Sequence, residues 1–452
     1  MANSFSETTF FVRTFGCQMN KHDTERIQGM LEGIGYLQAG TAEEADIVIF
    51  LTCCVREAAD IRLMGQVASM RNLALRKNSP LQKRIIAIGG CIGQRDGEKL
   101  LDNLPHLDIV FGTHNLPSLP SLIGAAIDDG KHHVEVVESS TDFSTDLPTS
   151  REKDWAAWLP ITVGCDNFCS YCIVPYVRGR EKSRPIEEIT EEAANYVKSG
   201  VKEITLLGQN VNSYGRDLYK SPQFYQALQK VDATGIARLR FATSHPKDLT
   251  DEVIEAFSTL PSLMPALHLP VQSGSNRILS AMNRNYTREH YLGLIKKLKS
   301  VCPDIALSTD VIVGFPGESE QDFEETCQLI EEVGFTQVFT FIYSRREGTP
   351  AAKLQDNTPA EIIQERFERL VKIVQDQAWK QNQADLGKTV EVLVEGCSKR
   401  DASLIAGKSP KNQTVHAKLP SEINADDLAG SFVKVKINEA KTWYLFGEIV
   451  PS

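Results

Sequence analysis

Three cysteines stand close together in the segment "GCDNFCSYC", at Cys165, Cys169 and Cys172. Their C-x3-C-x2-C spacing differs from the two pairs of thiols of a structural zinc site and from the C-x2-C-x2-C-x3-C-P run of a bacterial ferredoxin. A cubane [4Fe-4S] cluster held by three thiolates fits this number of ligands better, because one iron then keeps an open coordination position. An open iron indicates chemistry on a small ligand rather than electron storage alone.

A second set of cysteines is spread over the first hundred residues. Cys17, Cys53 and Cys91 each follow an apolar stretch that predicts a buried strand, and each precedes an amphipathic helix. The carboxyl ends of parallel strands share one edge of a sheet, where ligands bind. We therefore expect these three thiols to meet in a second site. Cys54 is ambiguous, and Cys53 is preferred because it ends its strand in the same way as the other two.

The elements that must position these cysteines predict an α/β fold class with three domains. Residues 8–137 repeat strand, turn and helix four times, which indicates a parallel sheet with helices on its faces. Residues 138–154 have the polar composition of a linker. Residues 155–385 hold six strand patterns separated by helices, which suit a partial or open (β/α)6 barrel with the triplet at its carboxyl-end mouth. Residues 386–452 predict a small β-barrel.

Composition narrows the classes of function. The longest apolar runs fall short of the roughly 18 residues of a membrane span, and the first residues lack the basic start and apolar stretch of a secretory signal. These features predict a cytoplasmic protein without membrane contact. Its ten cysteines are then more plausible as metal ligands, catalytic groups or core residues than as disulfides. With a net charge of -10, any nucleic-acid site must be a local patch.

Such a patch lies in the predicted C-terminal barrel. Between positions 396 and 418 five cations stand against Asp401 alone, namely Lys399, Arg400, Lys408, Lys411 and Lys418. Contacts from such residues to phosphates would fix the register of an RNA without reading its bases. A solvated, turn-rich surface is the alternative interpretation.

Taken together, these motifs resemble the radical S-adenosylmethionine (SAM) methylthiotransferase family. The segments "TFGCQMN", "LTCCVRE" and "GGC" are similar to its N-terminal domain, and "CSYCIVPYVRGRE", "LLGQNVNSYG", "TSHP", "HLPVQSGS" and "VGFPGE" to its radical domain. The terminal barrel resembles the TRAM module of RNA-modifying enzymes. The resemblance covers nearly all 452 residues in the expected order. One departure is Leu51, where the family commonly has Asn, and it leaves the cysteine assignment intact.

Within the family, "GCQMN" and "TSHP" favour the MiaB-type branch, which methylthiolates carbon 2 of an isopentenylated adenosine beside the tRNA anticodon. Two other branches modify threonylcarbamoyladenosine in tRNA or an aspartate of a ribosomal protein. The resemblance implies two [4Fe-4S] clusters, one on each cysteine set, and two uses of SAM. One SAM is cleaved to a 5'-deoxyadenosyl radical that removes hydrogen from the adenine, and the other methylates a cluster-bound sulfur. The spacing of the residues alone does not show the second use.

Residues at the strand ends of the predicted barrel are candidates for contact with SAM or substrate. Tyr171 is placed to pack near the adenine or to fill core, and Gly314 suits a close approach of backbone to the adenine. Arg184 in "SRP" is a candidate to neutralise a carboxylate or phosphate, although a surface Arg is usually only solvated. The full set of SAM candidates is Tyr171, Gly208, Gln209, Asn210, Ser244, Gln272, Ser308, Asp310 and Gly314. Polar residues at barrel mouths also simply cap helices.

The resemblance also implies partners. They are tRNA with an isopentenylated adenosine beside the anticodon, an electron donor such as flavodoxin or ferredoxin, and a protein that supplies iron–sulfur clusters or sulfur. The chain is expected to act as a monomer. Two other classes remain as alternatives, an iron–sulfur redox protein without catalysis and a structural zinc protein with an RNA-binding barrel.

Overall fold

The computed structural model describes residues 7–52, 57–73, 75, 77–137, 147–419 and 425–451. Cys53 and Cys54 lie outside the described residues, as does most of the predicted linker. The chain forms two compact units. The first comprises residues 1–152 with 163–168 and 172–182, and the second comprises residues 153–162, 169–171 and 183–452. The predicted domain limits remain predictions.

The first unit contains a six-stranded, fully parallel sheet with the order β2-β1-β3-β4-β5-β6. Its strands are β1 (Thr9–Phe15), β2 (Leu37–Gln38), β3 (Ile47–Thr52), β4 (Ile85–Gly90), β5 (Ile109–Phe111) and β6 (His133–Glu135). The two central strands, "IVIFLT" and "IIAIGG", are buried along their whole length, because helices cover both faces of the sheet. The predicted strand–helix repeats are confirmed.

The helices of the first unit follow the strands of the sheet, except for the last one, which follows the cysteine triplet. They are α1 (Gln18–Gly33), α2 (Glu57–Met70), α3 (Cys91–Asp96), α4 (Lys99–Asn103), α5 (Leu119–Asp129) and α6 (Val174–Val177). Ile173, the N-cap of α6, and Val177, its last residue, are buried in the same apolar cluster as Cys91 and Ile92. The segment after the triplet is thereby packed against the start of α3.

The second unit begins with six parallel strands and their connecting helices, as predicted. Three strands form the order β11-β10-β7 and three the order β12-β13-β14, and a single parallel bridge joins Leu239 to Leu263. Strands β7 and β14 therefore end the series, which makes this an open barrel. The strands of this region, with two short ones beside the triplet, are β7 (Ala156–Pro160), β8 (Thr162–Val163), β9 (Lys182–Ser183), β10 (Glu203–Leu207), β11 (Arg238–Phe241), β12 (Ala266–His268), β13 (Ala306–Val313) and β14 (Gln337–Ile342).

Amphipathic helices cover the outside of this open barrel and bury their apolar faces on the strands. They are α7 (Ile186–Lys198), α9 (Phe224–Asp232), α10 (Asp251–Thr259), α11 (Asn276–Ala281), α12 (Arg288–Val301), α13 (Glu320–Val333) and α14 (Ala360–Gln383). The short α8 (Arg216–Tyr219) precedes α9 and buries none of its residues. Several begin at a side-chain cap, and Ser319 and Asp322 form a reciprocal capping box at the start of α13. Helix α14, predicted at about 359 to 385, leads into the terminal domain.

The terminal domain is a closed five-stranded barrel with the order β15-β16-β17-β19-β18, which confirms the predicted β-barrel. Its strands are β15 (Thr389–Ser398), β16 (Asp401–Lys408), β17 (Thr414–Lys418), β18 (Phe432–Ala440) and β19 (Leu445–Val450). Alternate inward residues such as Val392, Ile405 and Val435 form its core.

Two buried arginines of β11 bind the terminal barrel. Arg238 donates to the carbonyl oxygens of Lys408 (2.8 Å) and Glu391 (3.3 Å). Arg240 donates to the carbonyl oxygens of Ser409 and Pro410, each at 2.9 Å. Strand β11 therefore holds the β16–β17 turn through main-chain acceptors.

In the part of the chain that the structure describes, no helix is both long enough and apolar enough to cross a membrane.

Candidate active site

The N-terminal cysteines follow neighbouring strands of the parallel sheet. In its register Phe15 of β1 lies beside Thr52 of β3, and Thr52 lies beside Gly90 of β4. Cys17 comes two residues after Phe15 as the N-cap of α1, and Cys91 directly follows Gly90 as the first residue of α3. Both therefore lie at the carboxyl edge predicted for them, and the strand between them is the one that precedes the undescribed Cys53.

A tight turn delivers Cys91 to this edge. Gly90 has a left-handed φ of 83°, and a Cβ added there would lie 3.0 Å from the carbonyl oxygen of Thr52. Any other residue at this position would therefore be strained and crowded. The Cys91 side chain is only 2% exposed, so the turn places a thiol in a buried position rather than on the surface.

Arg178, six residues after Cys172, reaches the same edge. Its Nε donates to Cys91 Sγ at 3.3 Å, and its Nη2 donates to Asn20 Oδ1 at 3.0 Å and lies 3.4 Å from Asp23 Oδ2. Burial opposes its charge, but the neighbouring Cys91, Asp23 and Cys17 raise the pKa of Arg178 well above its ordinary value. A permanent, buried positive charge thus faces the N-terminal cysteine set.

The cysteine triplet lies in an irregular loop. Gly164 precedes it with a φ of 81°, and a Cβ there would lie 2.1 Å from the carbonyl oxygen of Arg180. The amide of Cys165 donates to the carbonyl oxygen of Gly179 at 3.2 Å. These contacts pack the loop closely against the segment that carries Arg178.

Cys169 is 7% exposed and has an arginine of its own. Nη1 of Arg284 lies 3.6 Å from Cys169 Sγ, while its Nη2 donates to the Pro270 carbonyl oxygen at 2.7 Å and its Nε to the Tyr286 hydroxyl at 2.9 Å. Burial opposes this charge too, yet Tyr286, Tyr171 and Cys169 raise the pKa of Arg284 well above its ordinary value. In each cysteine set, a buried arginine is therefore hydrogen-bonded to one cysteine sulfur.

Polar atoms without partners collect at the carboxyl ends of β7, β10 and β11. Within the described chain, buried atoms that lack a hydrogen bond include Thr162 Oγ1, Asn210 Oδ1, Asn212 Nδ2, Ser244 Oγ and His245 Nε2. Such atoms are rare in folded proteins, and a group of them indicates that water or a polar ligand completes the site. The location agrees with the predicted mouth of the open barrel.

Two of the residues with orphaned atoms, Asn210 and His245, are held in fixed orientations by their other contacts. Nδ2 of Asn210 donates to Asp248 Oδ2 at 2.7 Å, which leaves its carbonyl oxygen as the open acceptor. Nδ1 of His245 accepts from the Lys247 amide at 3.2 Å, so a neutral ring carries its proton on Nε2. Burial, aided by Arg284 and Lys247, holds the pKa of His245 well below its ordinary value. The site thus offers both acceptors and a neutral donor.

The other predicted barrel-mouth residues take up different positions. A Cβ on Gly208 would meet Thr162 Oγ1 at 2.2 Å, so this glycine lets two strand ends approach. Gln272 is buried with a φ of 72°, and Gln209 is half-buried. Ser308 and Asp310 lie on β13 and face His268, whose Nδ1 is 3.0 Å from Ser308 Oγ and whose Nε2 is 3.5 Å from Asp310 Oδ2.

Sequence reasoning missed four residues that the structure brings into these sites, namely Arg178, His245, His268 and Arg284. His245 and His268 stand inside the segments "TSHP" and "HLPVQSGS", so their positions at strand ends were a usable signal. Arg284 lies in the loop between α11 and α12 and had no comparable local signal. Its contact with Cys169 spans 115 residues of chain.

The structure gives another explanation for Tyr171 and Gly314, which were predicted to lie near the adenine of SAM. Tyr171 is partly buried against an apolar cluster that includes Met282 and Phe315, which favours the core-filling alternative. Gly314 has a φ of 72°, and a Cβ there would lie 2.7 Å from Ile363 of α14, so helix packing by itself requires glycine. Contact of either residue with SAM remains a prediction.

The alternative interpretation of Arg184, a solvated surface residue, is wrong. Its side chain is buried, and its two terminal nitrogens donate to the Pro160 carbonyl oxygen at 2.9 Å and to Glu192 Oε2 at 2.7 Å. These contacts fasten the end of β7 to α7. A buried arginine with both ends engaged is a structural support rather than a group offered to a ligand.

Comparison with known proteins assigns the three parts of the chain. Residues 9–112 match "Uncharacterized protein family UPF0004", residues 159–330 match the radical SAM superfamily, and residues 383–450 match the TRAM domain. The tRNA-2-methylthio-N(6)-dimethylallyladenosine synthase of Caldicellulosiruptor saccharolyticus is 48% identical over 98% of this chain and 92% of its own. The protein of the same name from Carboxydothermus hydrogenoformans is 44% identical over 98% of this chain and 100% of its own.

The chain belongs to this family. It is a radical SAM tRNA methylthiotransferase family member, as its motifs predicted. Among solved structures, the radical SAM methyltransferase TsrM from Kitasatospora setae has a TM-score of 0.54 at 12% identity and covers 76% of this chain and 74% of that chain. The cobalamin-dependent SAM radical enzyme OxsB has a TM-score of 0.51 at 13% identity, over 82% of this chain and 56% of that chain. These likenesses concern the fold alone.

The described residues fit an iron–sulfur cluster and SAM by their chemistry. Cys165, Cys169 and Cys172 supply three thiols, Arg284 supplies charge at one of them, and the orphaned atoms at the strand ends supply polar contacts for a ligand. Among the described side chains, no three His, Cys, Asp or Glu residues are arranged to hold a single metal ion. A cubane differs from such an ion because each thiolate binds a different iron.

The predicted basic patch separates into two kinds of residue. Lys399, Arg400 and Lys418 are exposed. Lys408 is largely covered, its Nζ donates to Thr414 Oγ1 at 2.9 Å, and burial lowers the pKa of its amine. Lys411 lies 3.4 Å from Asp385 Oδ1. The last two residues therefore hold the barrel together as well as adding charge, and RNA binding by the patch remains a prediction.

Proposed function

We propose that this protein methylthiolates carbon 2 of an isopentenylated adenosine beside the anticodon of tRNA, with two SAM molecules and a cluster-bound sulfur. The near full-length relatives carry the name of this reaction. The structural observation that carries the proposal is the pairing of two separate cysteine sets with two separate buried arginines, Arg178 and Arg284. One cluster would suffice for an ordinary radical reaction, whereas inserting sulfur requires a second group to hold it.

The clusters, when bound, supply the electron that cleaves SAM and a place for the transferred sulfur. Cys165, Cys169 and Cys172 hold one cluster, and Cys17 and Cys91 hold the other together with Cys53, which lies outside the described residues. Arg178 and Arg284 offset the negative charge of the thiolates beside them, because neither guanidinium can lose its proton in a protein. Each arginine also fixes its cysteine through a hydrogen bond.

The residues at the barrel mouth bind and orient SAM. Asn210 and Ser244 present oxygen atoms, and the neutral His245 presents an Nε2 proton, all in buried positions without protein partners. A ligand with amino, carboxylate and hydroxyl groups satisfies such a set. His268 with Ser308 and Asp310 lies on the neighbouring strands and is placed to contact the substrate side of the mouth.

The proposed reaction also sets the partners and the location. The substrate is tRNA, bound in part by the TRAM barrel, and the radical step draws on an electron donor such as flavodoxin or ferredoxin. A cluster or sulfur supply protein restores the sulfur that each turnover consumes. The protein acts in the cytoplasm, where tRNA is processed, as a monomer.

The proposal is tested with anaerobically reconstituted protein, SAM, a reductant and, in separate reactions, tRNA that bears isopentenyladenosine or threonylcarbamoyladenosine. Mass spectrometry of the nucleosides measures the 2-methylthio product, and chromatography measures 5'-deoxyadenosine. The parent is expected to form both and to bind roughly eight irons per chain, the content of two cubane clusters. Zinc without acid-labile sulfide, or a product on threonylcarbamoyladenosine alone, would contradict the proposal.

Single cysteine variants separate the two sites. Cys169→Ala should lose 5'-deoxyadenosine and about half of the iron, because two thiolates do not retain a cubane. Cys91→Ala should keep 5'-deoxyadenosine and lose the methylthio product. Cys397→Ala is the matched control, since this exposed cysteine of β15 belongs to neither set. Retention of product by Cys91→Ala would rule out the sulfur role of the N-terminal set.

A further inference from the structure

An aromatic cleft lies between the second half of α14 and the β18–β19 turn of the terminal barrel. It has a volume of about 520 Å³ and is lined by Gln375, Trp379, Lys441, Thr442, Trp443 and Tyr444. Trp379 is 49% exposed, Trp443 52% and Tyr444 37%. Tryptophan is normally well buried, so two half-exposed indoles in one cleft indicate a surface that another molecule covers.

Hydrogen bonds hold the backbone of the cleft in place although its aromatic rings are exposed. Nδ2 of Asn382 donates to the carbonyl oxygens of Lys441 (2.8 Å) and Thr442 (3.0 Å), and Nε2 of Gln383 donates to that of Ala440 (2.8 Å). Within the turn, the Lys441 amide donates to the Tyr444 carbonyl oxygen at 2.9 Å. The last turn of α14 therefore holds the β18–β19 turn through its backbone, which leaves the side chains of the turn out of this contact.

A second contact orients one wall of the cleft. The Tyr444 ring meets the His416 ring edge to face, with centroids 5.3 Å apart and an interplanar angle of 85°. This geometry is the favoured one for aromatic pairs. A binding surface organised in advance loses less conformational entropy when a ligand arrives.

The charge at the cleft suits a phosphate. Among the described residues that line it, Lys441 carries a positive charge and the others are neutral. Lys441 is ion-paired with Glu439, but both side chains are 51% exposed. An ion pair at such exposure contributes little, so a phosphate can take the place of the carboxylate. The Gln375 amide adds one donor and one acceptor at the rim.

We propose that this cleft binds one unstacked nucleotide of the RNA substrate, with the base stacked on Trp379 and Trp443 and a flanking phosphate at Lys441. This inference rests on the proposed function, because it takes tRNA as the ligand. Aromatic faces beside a cation are the common means of binding single-stranded nucleotides, and stacking accepts any base. An apolar peptide would use the indoles equally well but would leave Lys441 and Gln375 without a role.

The test measures binding of tRNA and of a short single-stranded oligoribonucleotide to the full-length holoprotein by fluorescence anisotropy. Trp443→Ala should weaken tRNA binding roughly 5- to 150-fold, the range expected for loss of one stacked base. Trp443→Phe should recover part of this loss, because phenylalanine keeps a ring. Ile362→Ala is the control, since Ile362 is an exposed apolar residue of the same helix, 40% exposed and outside the cleft. Its affinity should equal that of the parent.

Two readouts distinguish this inference from the proposed function. Cleavage of SAM without RNA should be unchanged in Trp443→Ala. If the parent binds tRNA but forms no methylthio product, the proposed function fails while the cleft is still tested by the variants. If Trp379→Ala and Trp443→Ala both bind tRNA and the oligoribonucleotide like the parent, with parental thermal stability, the cleft is not a nucleotide site. Self-association of the parent that Trp443→Ala abolishes, with tRNA affinity unchanged, would assign the cleft to a second copy and overturn the inference.

Discussion

Replacing Arg238 by Met should loosen the terminal barrel without unfolding the rest of the protein. The Arg238 side chain is 1% exposed and lies on β11, where it donates to the main-chain oxygens of Lys408 and Glu391 and to Glu391 Oε1 at 3.0 Å. Its guanidinium also lies 4.9 Å from the centre of the Phe432 ring. Methionine fills a similar volume but leaves these three oxygens without their donor.

The size of the effect follows from the exposure of each partner. A hydrogen bond from a charged donor contributes about 1.5 to 3 kcal/mol, and Arg238 makes two to carbonyl oxygens. The Glu391 carboxylate is 54% exposed, so its share is under about 1 kcal/mol. Burial lowers the pKa of Arg238, although Glu391 opposes this, and Met avoids that desolvation. We expect a net loss of about 3 kcal/mol in the attachment of the barrel.

Hydrogen exchange followed by mass spectrometry measures this loss locally. The equilibrium constant for opening of the contact should rise roughly 150-fold. The faster exchange should be confined to the β16–β17 turn and β11. Arg369→Met is the control, because Arg369 pairs with Glu320 and Glu324 at the surface and is 40% exposed. Parental exchange of the β16–β17 turn in Arg238→Met would refute the reasoning.

Three further perturbations follow from the site and the barrel. Reversing the exposed Lys399, Arg400 and Lys418 to Glu should weaken tRNA binding and reduce the slope of log affinity against log salt by about 2 to 3; parental affinity and slope in a salt titration would show that the patch is only solvated. Arg178→Gln should lower the iron content and shift the reduction potential of one cluster to more negative values, because a positive charge beside Cys91 is lost. Arg178→Lys keeps the charge, so its iron content and reduction potential should lie closer to those of the parent. A redox titration followed by electron paramagnetic resonance measures the potentials. Burial raises the pKa of Glu318 to about 7 in the folded protein, from 4.5 for an exposed glutamate. The protonated Glu318 therefore contributes to stability below pH 4.5, and this contribution, at most about 3 kcal/mol, is lost as the pH rises through 7. Glu318→Gln should therefore flatten the change in melting temperature between pH 4.5 and 7, and an unchanged pH profile would exclude this residue as its source.

Much of the architecture could be predicted because local sequence patterns determine it. Apolar runs such as "IVIFLT" and "IIAIGG" with helices between them specify a parallel sheet, since only a strand covered on both faces is apolar at every position. The order of the strands placed Cys17 and Cys91 at one edge, because Cys91 directly follows β4 and Cys17 follows β1 after Gly16. The spacing of the cysteine triplet and the motifs around it were sufficient to indicate the family.

Tertiary structure alone decided which charged residues serve the sites and which support the fold. Arg178 lies 87 residues from Cys91 along the chain, and no local pattern predicts a contact of that separation. Arg184 was a candidate to neutralise a carboxylate or phosphate, with a solvated surface position as the alternative. It is buried between β7 and α7, where its guanidinium satisfies a strand end and the Glu192 carboxylate of the protein itself. The aromatic cleft likewise exists only because helix α14 and the β18–β19 turn, some sixty residues apart, are joined by side-chain amides. Periodicity reports whether a residue faces the core, whereas its partner depends on how distant elements pack.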